Sequence, residues 1–199
     1  MMIAKEYFLN DDVLFLAEDL IGKYLFTKIG GQIAGGVIVE TEAYKGIDDK
    51  ASHAFGGRRT KRNTTMYEEG GRLYIYLCYG IHHLSNIVTN VAGIPDAVLL
   101  RGIFPTHGEE LMLKRSHKKI ITDNIGIGPG KVSAILGLTT DFDSTPVTSD
   151  LVWLEDRHIV IPESEIERLP RVGVDYAGED AKLPYRFKLK NIDSISKRI

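Results

Sequence analysis

The sequence predicts an α+β fold, a single domain over residues 1–199 built on a mainly antiparallel sheet with peripheral helices. Two pairs of β-rich segments are joined by short glycine-containing turns, the helix-patterned segments stand apart from them, and no Pro/Ser-rich or single-sign linker divides the chain.

Residues 12–21 carry Val13, Leu16, Ala17 and Leu20 at helical spacing, with Asn10 or Asp11 as the expected cap and Gly22 as the stop. Residues 23–29 and 32–44 form the expected first hairpin across Gly30-Gly31. In the second of these strands the period of two puts Val37, Val39, Thr41 and Ala43 on one face and Ile38, Glu40, Glu42 and Tyr44 on the other. Two acids on one strand face ordinarily mark the solvent side of a half-buried sheet. From residue 45 to 72 periodicity vanishes and Gly, Asp, Arg and Asn take over, a loop long enough to be functional. Residues 73–80 and 84–89 give a second hairpin, and 96–104 a further strand closing on Arg101. Helices are expected over 109–118 and 132–136, the latter opened by Gly128-Pro129-Gly130-Lys131 and stopped by Gly137. Short strands are expected at 151–154 and 158–161.

A single cysteine, Cys78, allows no internal disulfide and no zinc cage, and acids interrupt the first twenty residues. No stretch approaches the roughly 20 apolar residues of a membrane span. The expectation is a soluble cytoplasmic protein without membrane attachment. The net charge is only −2, but its distribution is bipolar: Arg58, Arg59, Lys61, Arg62 and Arg72 cluster in and after the long loop, Lys114, Arg115, Lys118 and Lys119 form a second group, and acids gather between Asp141 and Glu167. Such a surface can bind a polyanion on one side.

Several motifs fail. A Walker A loop ending at Lys131 would need Gly at 125 and Ser or Thr at 132, where the chain has Ile125 and Val132. What remains is a helix N-terminus carrying Lys131, able to receive a phosphate. His53, His82 and His83 do not form a metal-ligand spacing, and no Gly-x-Ser-x-Gly elbow is present, so neither a metal nor a cofactor is expected.

In combination, Val39-Glu40-Thr41-Glu42-Ala43-Tyr44, His53, Gly56-Gly57-Arg58-Arg59-Thr60-Lys61-Arg62-Asn63, Leu73-Tyr74-Ile75-Tyr76-Leu77-Cys78-Tyr79-Gly80, Asn86, Val98-Leu99-Leu100-Arg101 and Gly128-Pro129-Gly130-Lys131 follow the order and spacing of one family. From the first helix to about Leu138 the chain resembles the alkyladenine (3-methyladenine) DNA glycosylases. The resemblance implies a curved sheet with a protruding β-hairpin, and a monomer that acts on double-stranded DNA. It also implies a monofunctional hydrolase, without lyase activity, that starts base excision repair by releasing alkylated or deaminated purines such as 3-methyladenine, hypoxanthine or ethenoadenine.

Such an enzyme must extrude the nucleotide before it can reach the sugar carbon. By resemblance Tyr79 is the intercalating wedge, Tyr44, Ala51, His53 and Tyr76 form the base pocket, and Asn86 gates against the 2-amino group of guanine. Glu42 is the general base, Arg101 supports the water and a phosphate, and Arg58, Arg62 and Lys131 contact the DNA backbone. Periodicity alone does not choose between Glu40 and Glu42. Two other functions fit the residues: a non-catalytic nucleic-acid binding module on the same scaffold, and a nucleoside hydrolase using both glutamates.

Overall fold

The computed structural model describes residues 1–122 and 124–199. Its strands are β1 (Tyr24–Ile29), β2 (Gln32–Tyr44), β3 (Arg72–Cys78), β4 (His82–Thr89), β5 (Asp96–His107), β6 (Val152–Glu155), β7 (Ile166–Leu169) and β8 (Arg186–Leu189). The α-helices are α1 (Val13–Asp19), α2 (Glu109–Ser116) and α3 (Pro129–Leu136). The strands make one eight-stranded sheet with the order β3-β4-β5-β2-β1-β6, to which β8 is added on β2 and β7 on β8. Every pairing is antiparallel. The α+β architecture expected from the segregated helices and paired strands is the one observed.

β2 is the strand the others are built on. Its first half pairs with β1 on one edge, residues 40–42 pair with β8 on that same side, and β5 runs along the other edge from Gly35 to Tyr44. Residues 34–43 are buried without interruption. The solvent-face expectation for Glu40 and Glu42 is therefore corrected: alternation in the sequence marks two different interiors, one apolar and one polar. On the apolar side Thr41 Oγ1 donates to the Ala17 carbonyl at 2.6 Å and fastens α1 to the sheet. Val13, Leu16, Ala17 and Leu20 of this α1 region join Val37, Leu100 and Ile103 in the main core, where Val132, Ile135 and Leu136 of α3 also pack.

Several local expectations are corrected. The cap of α1 is Asp12, whose Oδ1 accepts from the Leu14 and Phe15 amides at 3.0 Å each, while Asn10 accepts from the Asp12 amide instead. Residues 158–161 form no strand, because Asp156 Oδ1 accepts from the His158 amide and His158 turns at φ 58°, which takes the chain out of ladder register. β7 and β8 were not anticipated: each has four residues, two of them charged, too few for periodicity to register. The long loop holds two 3-10 turns, Phe55–Gly57 and Lys61–Tyr67, and Asn63 Nδ2 ties it together by donating to the carbonyls of His53 at 3.0 Å and Arg58 at 2.9 Å. Among the described residues no helix is long and apolar enough to cross a membrane.

Candidate active site

The β2–β5 ladder slips on either side of Glu40: Ile38 opposes Ile103, Glu40 opposes Gly102, and Thr41 opposes Leu100, leaving Val39 and Arg101 without opposite numbers. Such bulges re-aim side chains. Here the bulge is matched by glycine, since a Cβ on Gly102 would lie 2.8 Å from the Glu40 Cβ. Arg101 comes to lie beside both acids, with Nε 3.1 Å from Glu40 Oε1 and 3.4 Å from Glu42 Oε1.

The two carboxylates then diverge in environment. Glu40 Oε1 also accepts from Arg186 Nη1 at 3.1 Å, so this acid is neutralised by two guanidinium groups. Glu42 is 0% exposed. Its Oε1 accepts from the Val172 amide at 2.8 Å and its Oε2 from the Tyr44 hydroxyl at 2.9 Å. Burial pushes the Glu42 carboxyl above the ordinary glutamate range, against the opposing pull of Arg101, the Val172 N–H and the Tyr44 hydroxyl. An acid with raised proton affinity beside a cleft is suited to take a proton from water.

The cleft has a volume of about 1240 Å³, above the roughly 300–1,000 Å³ usual for a small-molecule site. Tyr44, Arg101 and Val172 line its wall and Glu42 lies directly behind them. At one end, aromatic faces converge. The His53 and Tyr76 rings meet edge to face at 4.6 Å between centroids, and His53 Nδ1 is 2.8 Å from the Tyr74 hydroxyl. Burial, reinforced by Arg62 and Arg58, lowers the His53 pKa to about 4, so the imidazole is neutral at pH 7. Burial also drives the Tyr44, Tyr74 and Tyr76 phenols up, which keeps all three uncharged. The result is a set of neutral π faces.

Asn86 lines the same end, with Nδ2 donating to the Tyr74 carbonyl at 3.0 Å. Ala51 is buried there; its amide donates to Asp49 Oδ1 at 2.9 Å and its carbonyl accepts from the Tyr176 hydroxyl at 3.0 Å. Tyr79 stands at the tip of the β3–β4 hairpin, 92% exposed. Tyr79 and Gly80 are both at positive φ, 51° and 73°, and the Ile81 amide donates to the Cys78 carbonyl at 3.1 Å, the signature of a tight hairpin turn.

Of the basic residues, Arg62 lines the cleft with its guanidinium 5.0 Å from the Tyr76 ring centroid and Nη2 donating to the Leu77 carbonyl at 3.2 Å. Lys131, in the first turn of α3, also lines it and donates to the Asn124 carbonyl at 3.1 Å. Arg58 is exposed in the loop and is not part of the cleft wall. The fold thus gathers Tyr44, Ala51, His53, Tyr76, Tyr79, Asn86 and Arg101 about one cleft, with Glu42 behind it and Arg58 outside it.

Sequence reasoning missed the segment that closes the site. Arg171 is buried and its guanidinium pairs with Asp49, donates to the Ala43 carbonyl at 2.9 Å and lies 4.8 Å from the Tyr44 ring centroid. That fixes the neighbouring Val172 amide on Glu42. Tyr176 and Arg186 add the contacts to Ala51 and Glu40. These residues lie in irregular chain, in the 3-10 segment Asp175–Lys182 or in a four-residue strand, where no periodicity or motif marks them. Tyr74 has no sequence signal of its own beyond its place in a strand, and its contact with His53 depends on the path of the long loop.

A family model described as Methylpurine-DNA glycosylase (MPG) matches residues 7–193. A Chlamydia felis protein named "Putative 3-methyladenine DNA glycosylase" is 45% identical over 193 residues, covering 94% of this chain and 96% of its own. Proteins of the same name are 41% identical in Chlamydia pneumoniae, covering 97% of both chains, and 39% identical in Bacillus cereus strain G9842, covering 99% of this chain and 100% of the relative.

Proposed function

The chain belongs to the methylpurine-DNA glycosylase family, and on that premise we propose that it is a monofunctional DNA glycosylase releasing alkylated or deaminated purines from duplex DNA. The observation that carries this reading is the wholly buried Glu42 carboxylate held behind the aromatic end of a cleft that Arg62 and Lys131 also line.

In the proposed reaction Tyr79 enters the duplex and fills the space left by the extruded nucleotide. The base lodges against Tyr44, His53 and Tyr76. Stacking on aromatic faces is worth about 1–3 kcal/mol per base, comparable to the few kcal/mol of unstacking, so a weakened or damaged pair is the one that flips. As the bond from C1′ to the base nitrogen breaks, its electron pair leaves with the base and the sugar gains oxocarbenium character. A water oxygen bonds to C1′ while Glu42 takes the water's proton, and the carboxylate's charge also stabilises the cationic sugar.

Among the described residues, Glu42 accepts hydrogen bonds from Tyr44 and Val172 and has the charge of Arg101 beside it; none of the three is a primary amine, which supports water rather than a lysine as nucleophile. A base that is already cationic departs neutral without help. The neutral His53 cannot supply a proton at pH 7, so cationic 3-methyladenine is favoured over hypoxanthine or ethenoadenine. Arg62 and Lys131, on the cleft wall, and the exposed Arg58 are assigned to backbone phosphates, which position without reading sequence. Asn86, fixed through Tyr74, is assigned to the exclusion of a 2-amino group. The nucleoside-hydrolase alternative is weakened because Glu40 is tied to Arg101 and Arg186 and approaches from the same side as Glu42, where a carboxylate pair should flank the sugar.

The test is incubation of the protein with duplexes bearing 3-methyladenine, hypoxanthine or ethenoadenine and with the free nucleosides. The expected result is alkali-labile sites in the damaged duplexes, no strand breaks before alkali, and no cleavage of nucleosides. Base release from free nucleosides alone would overturn the reading.

A further inference from the structure

Glu40 has no role in the reaction just described, yet it is a buried acid 3.1 Å from Arg101, a residue of the cleft wall. Keeping a buried carboxylate charged requires partners, and Glu40 has two, Arg101 from β5 and Arg186 from β8. The position is prepared by the backbone: the β-bulge beside Glu40 sets Arg101 against it, and Gly102 leaves room for its side chain.

The distances carry the argument. Arg101 Nε has one hydrogen, and it is given to Glu40 Oε1 at 3.1 Å; Glu42 Oε1, at 3.4 Å from the same nitrogen, receives only the charge of the group. Were Glu40 absent, the guanidinium would have Glu42 as its nearest buried counter-ion. A full charge-assisted bond there would hold the carboxylate ionised and make it a poorer base.

We propose that Glu40 is a positioning residue that holds Arg101 off Glu42, so that the proposed base is left without a charge-assisted bond to the guanidinium while Arg101 stays at the cleft wall. The proposal rests on the glycosylase reading for its consequence in catalysis, but the Glu40–Arg101–Glu42 relation is independent of substrate. Among the described residues, the groups facing Glu42 are Glu40 and Tyr44 from β2, Arg101 from β5, Arg186 from the opposing position of β8, and Arg171, Val172 and Tyr176 from the closing segment. Of these, only Glu40 competes with Glu42 for Arg101.

Two measurements test it. In single-turnover release of a cationic base from duplex DNA, Glu40→Gln should move the acid limb of the pH profile down by about one pH unit, with lesion-duplex Kd unchanged. Arg186→Gln, at a partly exposed position, should move the limb the other way, because it removes a positive charge and leaves Glu40 wholly to Arg101. A Glu40→Gln limb superimposed on that of the wild type, or a downward shift in Arg186→Gln, would overturn the proposal. Carboxyl ¹³C titration of Glu42 in the DNA-free protein reads the same midpoint without turnover. A wild type that releases no base therefore refutes the glycosylase reading alone, whereas an unmoved Glu42 midpoint in Glu40→Gln refutes this one. Should Glu40→Gln not fold, Arg186→Gln decides by the direction of its shift.

Discussion

The Tyr44 hydroxyl donates to Glu42 Oε2 at 2.9 Å, so one residue offers a ring to the cleft and a proton to the buried carboxylate behind it. These two tasks are separable. In Tyr44→Phe the ring remains and the hydrogen bond goes, leaving a buried carboxylate oxygen short of a partner at a cost of about 1–3 kcal/mol to its charged form. Glu42 then holds its proton more tightly. Because the deprotonated form is the active one, base release in Tyr44→Phe should fall off at higher pH than in the wild type, while lesion binding changes little. The pH profile of single-turnover release checks the sign.

Tyr79 pays a conformational cost for its position: an L-residue at φ 51° is strained, and its ring is almost wholly in solvent. Tyr79→Gly should stabilise the fold by about 0.5–1 kcal/mol, as the left-handed conformation is native to glycine. Excision from a fully paired duplex should fall steeply and excision from a mismatched or single-stranded lesion much less. Thermal melting and parallel assays on the two substrates separate the effects.

Asp49 and Arg171 form a buried pair, and Asp49 also accepts from the amides of Lys45 at 3.1 Å and Ala51 at 2.9 Å. Asp49→Ala leaves a buried guanidinium without its counter-ion, which should cost about 3–5 kcal/mol in urea unfolding. Lys182→Ala, which breaks the exposed pair with Glu179, should stay within about 0.5 kcal/mol.

How much of this was legible in the sequence follows from where each signal lives. The first hairpin, the β3–β4 hairpin and α1 each present a local period and a turn or stop at Gly30-Gly31, Gly80 or Gly22, and each formed close to where expected. Glu42, Tyr44 and Arg101 could be placed on strands for the same reason. Their convergence could not, because it depends on the slipped register at Val39 and Arg101 and on Val172 arriving from 130 residues further along the chain. The half-buried reading of β2 failed because alternation shows that two faces differ without telling what covers each. The closing segment around Arg171 and Tyr176 has no period at all, and its role is written only in tertiary contacts.

A carboxyl whose folded pKa is raised contributes stability that is full below its unfolded pKa and lost as pH rises through the folded value. Glu42 is such a group, so at pH 7 its charge opposes folding. Glu42→Gln should melt at higher temperature than the wild type at pH 7, and the gap should close as the pH falls below about 4, near the unfolded glutamate pKa. Paired melting curves across pH test this without any substrate.

The most direct test of the central claim is single-turnover base release by Glu42→Gln from a duplex carrying a cationic purine, measured beside its Kd for the same duplex. Glu42→Gln should show a Kd within about threefold of the wild type and a release rate lower by at least about 100-fold, the scale of a lost general base. Release at the wild-type rate would contradict it, and so would a loss of binding large enough to explain the slower release.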